Sequence, residues 1–177
     1  MERKIPLFDL NYDEREEQAV LETLRTGWIS MGPKTAEFEN RNSRMLGADY
    51  AVAFSSCTVS LHVAMRLLDL SPGDEVICPS LTFVATCNAI RYVNAIPVFA
   101  DIKSILGPNI DPDDIEKKIT EKTRAIIVMH FAGFPCDMER IMNIARKHNL
   151  KVVEDACQGV GGGYRGRKLG AIGQAGA

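Results

Sequence analysis

The sequence predicts an α/β fold with a mainly parallel sheet and helices on both faces, and two observations carry that prediction. Short runs such as Ala125-Ile126-Ile127-Val128-Met129 are apolar without alternation, which is the pattern of strands buried on both faces. Between these runs stand segments of helical period, and strands that alternate with helices form parallel sheets covered on both sides. No repeat of solenoid period and no low-complexity tract interrupts the series.

Residues 13–26 place Val20, Leu21 and Leu24 among Glu and Arg, a partly exposed amphipathic helix stopped by Gly27. Trp28-Ile29-Ser30-Met31-Gly32-Pro33 reads as an apolar loop with a Gly-Pro break, and a second helix is expected from about Lys34 to Leu46 before Gly47. Trp28, the only tryptophan, is either a core anchor or part of a functional loop. A strand is expected at 50–54 and an apolar helix from about Thr58 to Leu70. After a Pro-Gly-Asp turn come a strand at 75–79, a helix from about Val84 to Val93 and a strand at 96–100. Asp111 followed by Pro112 is an N-cap with proline at the first helical position, opening a short helix with Ile115 and Ile119 on one face. A strand at 124–130 follows. Asp137 then caps a helix with Met138, Ile141, Met142 and Ala145 at i, i+3, i+4 and i+7, ended by Asn149, and a strand at 151–155 closes the series. The expected organisation is one α/β domain over 1–177, with an N-terminal arm over about 1–47 and a sheet region over about 48–177.

At 177 residues the chain is long enough to bury a core. With 46% apolar and 25% charged residues it is composed like an ordinary globular protein, and a net charge of −2 leaves no footprint for nucleic acid or an anionic membrane. Five cysteines at 57, 78, 87, 136 and 157 form no Cys-x-x-Cys pair, and with no histidine cluster beside them no metal site is expected; reduced thiols in the cytoplasm are. The amino-terminal stretch has no apolar core of signal-peptide length, and no apolar run is long enough to cross a bilayer.

Two stretches point to chemistry, and a third only looks as if it does. Lys151-Val152-Val153-Glu154-Asp155 ends in an acid where a parallel strand would run out, and the carboxyl ends of such strands face the ligand crevice of open α/β sheets, which makes Asp155 a candidate for cofactor chemistry. Ser55-Ser56-Cys57-Thr58 lies at a strand-to-helix junction, where free backbone N–H groups, the positive end of a helix and three hydroxyls could cradle a phosphate. The competing reading is a plain Ser/Thr N-cap. Gly161-Gly162-Gly163-Tyr164-Arg165-Gly166 satisfies G-x-G-x-x-G literally, but Arg165-Gly166-Arg167-Lys168-Leu169 is no helix start, so a dinucleotide site is not expected. His130, at a strand end, is expected to be a satisfied histidine rather than a ligand.

Val153-Glu154-Asp155-Ala156-Cys157-Gln158 resembles the corresponding strand of the DegT/DnrJ/StrS family of pyridoxal-phosphate sugar aminotransferases. Ser55-Ser56-Cys57-Thr58-Val59-Ser60-Leu61-His62 is similar to that family's phosphate motif, with Cys57 in place of its usual glycine. Pro79 to Thr86 resembles the segment whose aromatic residue stacks on the cofactor ring. The resemblance runs from Gly27-Trp28-Ile29-Ser30 through Pro72-Gly73-Asp74, Pro97 to Asp101 and Pro135 to Met138, to Gly166-Arg167. It implies the large domain of a fold type I pyridoxal-phosphate enzyme, truncated before the small C-terminal domain. Ser56, Cys57 and Thr58 would bind the cofactor phosphate, Phe83 would cover the ring, Asp155 would pair with the pyridine nitrogen, and Gln158 would lie near the ring.

Past Gly170 the family has an aspartate where Gln174 stands here, and then the lysine that forms the Schiff base, so the chain is expected to end short of its catalytic amine. Lys151 and Lys168 occupy other places in the motif. The implied activity of the parent protein is transfer of an amino group from glutamate to a keto-deoxy nucleotide sugar, as in polysaccharide biosynthesis, by a cytoplasmic homodimer. Three alternatives stay open: a sugar dehydratase on the same cofactor, a non-catalytic cofactor- or ligand-binding remnant, and a nicotinamide-dependent sugar oxidoreductase, which the glycine context disfavours. The sugar, its nucleotide and the carbon aminated are not readable from the sequence.

Overall fold

The computed structural model describes residues 9–177; most of the stretch read as lacking a signal-peptide core, residues 1–8, lies outside them. Helix α1 (Glu14–Arg25) begins at a capping box, in which the Asp13 side chain accepts from the helix backbone while Glu16 reaches back to the Asp13 N–H. Helix α2 (Pro33–Leu46) has proline at its first position and ends at Gly47 in the left-handed conformation. No residue of α1 or α2 is buried.

The body is built on a five-stranded parallel sheet. Its strands are β1 (Glu75–Pro79), β2 (Ile96–Ala100), β5 (Thr123–Met129), β6 (Lys151–Asp155) and β9 (Ala175–Gly176), in the order β2-β1-β5-β6-β9. Helices α3 (Cys57–Arg66) and α4 (Val84–Tyr92) cover one face; α5 (Pro112–Lys118) and α6 (Met138–Lys147) cover the other. The alternation is visible residue by residue. Val76, Ile127 and Val153 pack with Leu61, Met65, Ala89 and Ile90 on the α3/α4 side, whereas their neighbours Ile77, Ile126 and Val152 pack with Ile115, Met138 and Ile141 on the other. Burial on both faces is the reason these strands read as unbroken apolar runs.

The structure corrects the sequence reading in four places. Residues 50–54 form no strand: Tyr50, Val52 and Phe54 are exposed, and the Ala53 N–H bonds the Glu39 carboxylate at 2.8 Å instead of a sheet neighbour. The fifth strand is β9, which takes the edge beside β6. Helix α3 stops at Arg66 rather than near Leu70, because the chain turns through Asp69 in the left-handed conformation before Pro72. Two antiparallel hairpins were unforeseen, β3 (Ile102–Ser104) with β4 (Gly107–Ile110) and β7 (Gly163–Tyr164) with β8 (Arg167–Lys168). The second hairpin is what the glycine-rich stretch becomes, in keeping with the reading that it opens no helix. Trp28 is not a core anchor: it is 56% exposed, its Nε1–H donates to the Met31 carbonyl at 3.0 Å, and a Cβ at Gly32 would run into its indole. Among the described residues no helix is long and apolar enough to cross a membrane.

Candidate functional site

From β1 the chain runs outward to β2 and then returns to β5 on the other side of β1. That reversal opens a crevice at the carboxyl ends of the strands, where open α/β sheets hold ligands. Thr82, in the loop after β1, sits over the end of β5, its Oγ1 2.9 Å from Met129 Sδ and 2.7 Å from Thr86 Oγ1. Asp155 ends β6, the next strand along, and only 2% of its surface is exposed.

Two helix N-termini converge on Asp155. Thr86, buried in the first turn of α4, donates from Oγ1 to Asp155 Oδ2 at 2.7 Å. Cys57, the first residue of α3, brings its Sγ to 3.8 Å from Oδ1 although the two residues are 98 apart in the chain. The Cys157 N–H approaches the same Oδ1 at 3.4 Å. One carboxylate oxygen is thus fixed by a short bond while the other meets only long contacts, which leaves Oδ1 lone pairs for an incoming cationic N–H. Burial and the neighbouring carboxylate push the Cys57 thiol up to about 11 and that of Cys157 to about 12.

The other predicted residues fall around this centre. Ser56 is the N-cap of α3, its Oγ accepting from Val59 N at 3.3 Å, so the plain capping role is present and Thr58 follows in the first turn. Cys57 is not among the residues of positive φ, so this turn does not need the glycine of the family motif. Phe83 is the N-cap of α4 and 63% exposed, so its ring is not part of the core. Gln158 is tied away from Asp155: its Oε1 accepts from Ala132 N at 2.7 Å, bracing a turn in which Ala132 is left-handed. Clefts of about 230 and 500 Å³ lie elsewhere, against α6 with the β7/β8 hairpin and beside residues 119–124, and include none of these residues.

Sequence reasoning missed Glu154 and Thr86. Successive strand residues face opposite layers, so Glu154 points away from Asp155, fully buried on the α5/α6 side. It accepts from Gly170 N at 3.0 Å, from Ile172 N and Gly173 N at 2.6 Å each, and from His130 Nε2–H at 3.0 Å. His130 Nδ1 accepts from the Cys136 N–H at 3.1 Å, which fixes that tautomer and leaves the histidine satisfied, as expected. Burial alone would raise the Glu154 carboxyl, but the His130 bond and the three backbone N–H groups outweigh it and hold it below its ordinary value. Gln174 completes the arrangement: its Oε1 accepts from Val152 N at 2.6 Å and its N–H donates to Val152 O at 2.8 Å, launching β9 along β6. The Glu-Asp pair at a strand end was the available signal, since the pleat sends one acid to each side.

A family model described as the DegT/DnrJ/EryC1/StrS aminotransferase family matches residues 11–177. Spore coat polysaccharide biosynthesis protein SpsC of Bacillus subtilis is 45% identical over 162 residues, covering 92% of this chain and 41% of that protein. GDP-perosamine synthase of Escherichia coli O157:H7 is 41% identical over 170 residues, covering 96% and 46%. The fold is similar to that of Streptococcus pneumoniae Spr1654 in its PLP form, with a TM-score of 0.90 and 35% identity over 96% of this chain and 47% of that one. The chain therefore spans less than half the length of the relatives it matches.

Proposed function

The chain belongs to the DegT/DnrJ/EryC1/StrS aminotransferase family, and on that premise we propose that it forms the cofactor-binding part of a pyridoxal-phosphate aminotransferase that moves an amino group from glutamate to a keto-deoxy nucleotide sugar. The observation that carries the reading is Asp155: a buried carboxylate at the crevice end of β6, with one oxygen fixed by Thr86 and the other left to long contacts. That donor set fits a protonated pyridine nitrogen, because a buried carboxylate favours a cationic partner. When bound, pyridoxal phosphate supplies the electron sink for amino transfer.

This chain's own residues bind and orient. The backbone at Ser56, Cys57 and Thr58 offers N–H groups at the positive end of α3 for a phosphate, Phe83 covers a planar face, and Gln158 stiffens the turn at Ala132 beside the crevice. Neither candidate lysine stands at the site. Lys151 starts β6, about 13 Å of strand from Asp155, and Lys168 Nζ donates to the Gly161 carbonyl at 2.8 Å in the second hairpin. On this reading the chain by itself holds the cofactor without a covalent bond. Residues 48–177 make the cofactor-binding region and 1–47 an arm, in a cytoplasmic homodimer whose exposed apolar arm surface is covered by a second copy.

Pyridoxal phosphate binding, followed by its absorbance, tests the reading. Asp155→Asn is expected to weaken binding about ten- to a hundredfold, the worth of one charge-assisted hydrogen bond, with the unfolding midpoint little changed. Thr58→Val is expected to weaken it less. Borohydride reduction followed by peptide mapping is expected to give scattered, substoichiometric lysine labelling. Unchanged affinity in Asp155→Asn, or a stoichiometric adduct on one lysine, would overturn the assignment.

A further inference from the structure

The fold brings two thiols and a carboxylate from distant parts of the chain to one point. A sulfur of Cys57, a carboxylate oxygen of Asp155 and the sulfur of Cys157 lie within 4.8 Å of one another. We propose that Cys57, Asp155 and Cys157 form a three-donor site for a thiophilic divalent cation of the zinc class, with the fourth tetrahedral position open to solvent.

Four features support it. Zinc bonds of about 2.3 Å to sulfur and about 2.1 Å to oxygen put tetrahedral edges at about 3.6 Å for S···O and about 3.8 Å for S···S. The Cys57 Sγ to Asp155 Oδ1 separation of 3.8 Å already matches such an edge. Thr86 holds the other Asp155 oxygen at 2.7 Å, the kind of outer hydrogen bond that orients a ligating carboxylate. Two thiolates and a carboxylate around a dication leave one net negative charge, and that charge falls at the N-terminus of α3, where the helix dipole favours it. Cys157 is exposed, so an entry path exists and a water or small thiol can complete the coordination. As the metal binds, each thiol gives its proton to solvent.

The pair Cys78 and Cys87, with sulfurs 3.8 Å apart, does not match this set, because Cys78 is fully buried in the sheet and among the described residues no third donor gathers beside the pair. The consequence for the enzyme rests on the cofactor reading above. A metal on Asp155 would exclude the cofactor from it.

Cadmium is the probe, titrated into the 177-residue chain and followed by thiolate-to-cadmium absorption in the ultraviolet. One equivalent is expected, with affinity falling at least about tenfold in Cys57→Ser and in Cys157→Ser. Iodoacetamide footprinting of the unmutated chain, mapped by mass spectrometry, needs no variant to fold: cadmium is expected to protect Cys57 and Cys157 while Cys87 still labels. Protection of Cys87 alone, or no protection at Cys57 and Cys157, would overturn the site and leave the cofactor reading untouched. Pyridoxal phosphate binding by the cadmium-loaded chain, freed of excess metal, is expected to drop at least about tenfold. Undiminished cofactor binding with both cysteines still protected would keep the metal site and remove Asp155 from the cofactor.

Discussion

Helices α1 and α6 are both amphipathic and both capped by an aspartate, yet α6 buries Met138, Ile141, Ile144 and Ala145 while α1 buries nothing. Leu24 of α1 is 64% exposed and Ile141 of α6 is 0% exposed. The difference teaches that an apolar stripe specifies a helix and a face, but not what lies against that face. Helix α6 returns directly to β6, and the connection drops its stripe onto the sheet. Helix α1 precedes the body and is joined to it through α2, whose Glu39 carboxylate accepts from Ala53 N.

Four measurements would break or sharpen that contrast. The largest loss is expected within the body at Glu154→Ala, which leaves three backbone N–H groups and the His130 donor unpaired in the interior. A drop of about 3–5 kcal/mol in urea unfolding is expected, and a loss under 1 kcal/mol would mean the 170–173 loop is not held by that carboxylate. Ile141→Ala should cost about 2–5 kcal/mol through a cavity under α6; a near-neutral result in the same assay would erase the distinction between the helices.

Smaller effects are expected in the arm. Asp13→Ala removes the capping box of α1 and should cost that helix about 1 kcal/mol, seen as lost ellipticity at 222 nm with the global midpoint unmoved. A matching shift of the midpoint would show that the arm and body unfold together. Leu24→Ala should change stability by no more than about 0.5 kcal/mol in dilute chain. If a second copy covers the arm, the same substitution weakens self-association in sedimentation velocity; an unmutated chain that stays monomeric at high concentration would rule that cover out.

The parallel sheet was legible because burial on both faces writes itself as short apolar runs such as Ala125–Met129, and β1, β2, β5 and β6 stand within a residue of their predicted places. Caps were legible for a local reason: Asp111, Pro112 and Asp137 satisfy or omit backbone donors within their own turn. Residues 50–54 misled because an apolar segment carrying Tyr50, Val52 and Phe54 states a preference for a strand, while pairing needs a neighbour that only the assembled sheet can offer. The hairpins were missed because strands of two to four residues carry too little pattern to separate from turns.

By itself the sequence determined the alternation of strands and helices, the caps, and Asp155 as an acid at a strand end, all of which depend on residues a few positions apart. Only the tertiary structure decided which groups meet that acid. Thr86 and Cys57 reach it from 69 and 98 residues away, and the pleat of β6 sends Glu154 to the opposite layer to pin the loop from Gly170 to Gly173. The physical reason is range: helix and strand preferences are set by neighbours along the chain, whereas a buried carboxylate is completed by whatever donors the packed sheet and its helices bring within about 3 Å.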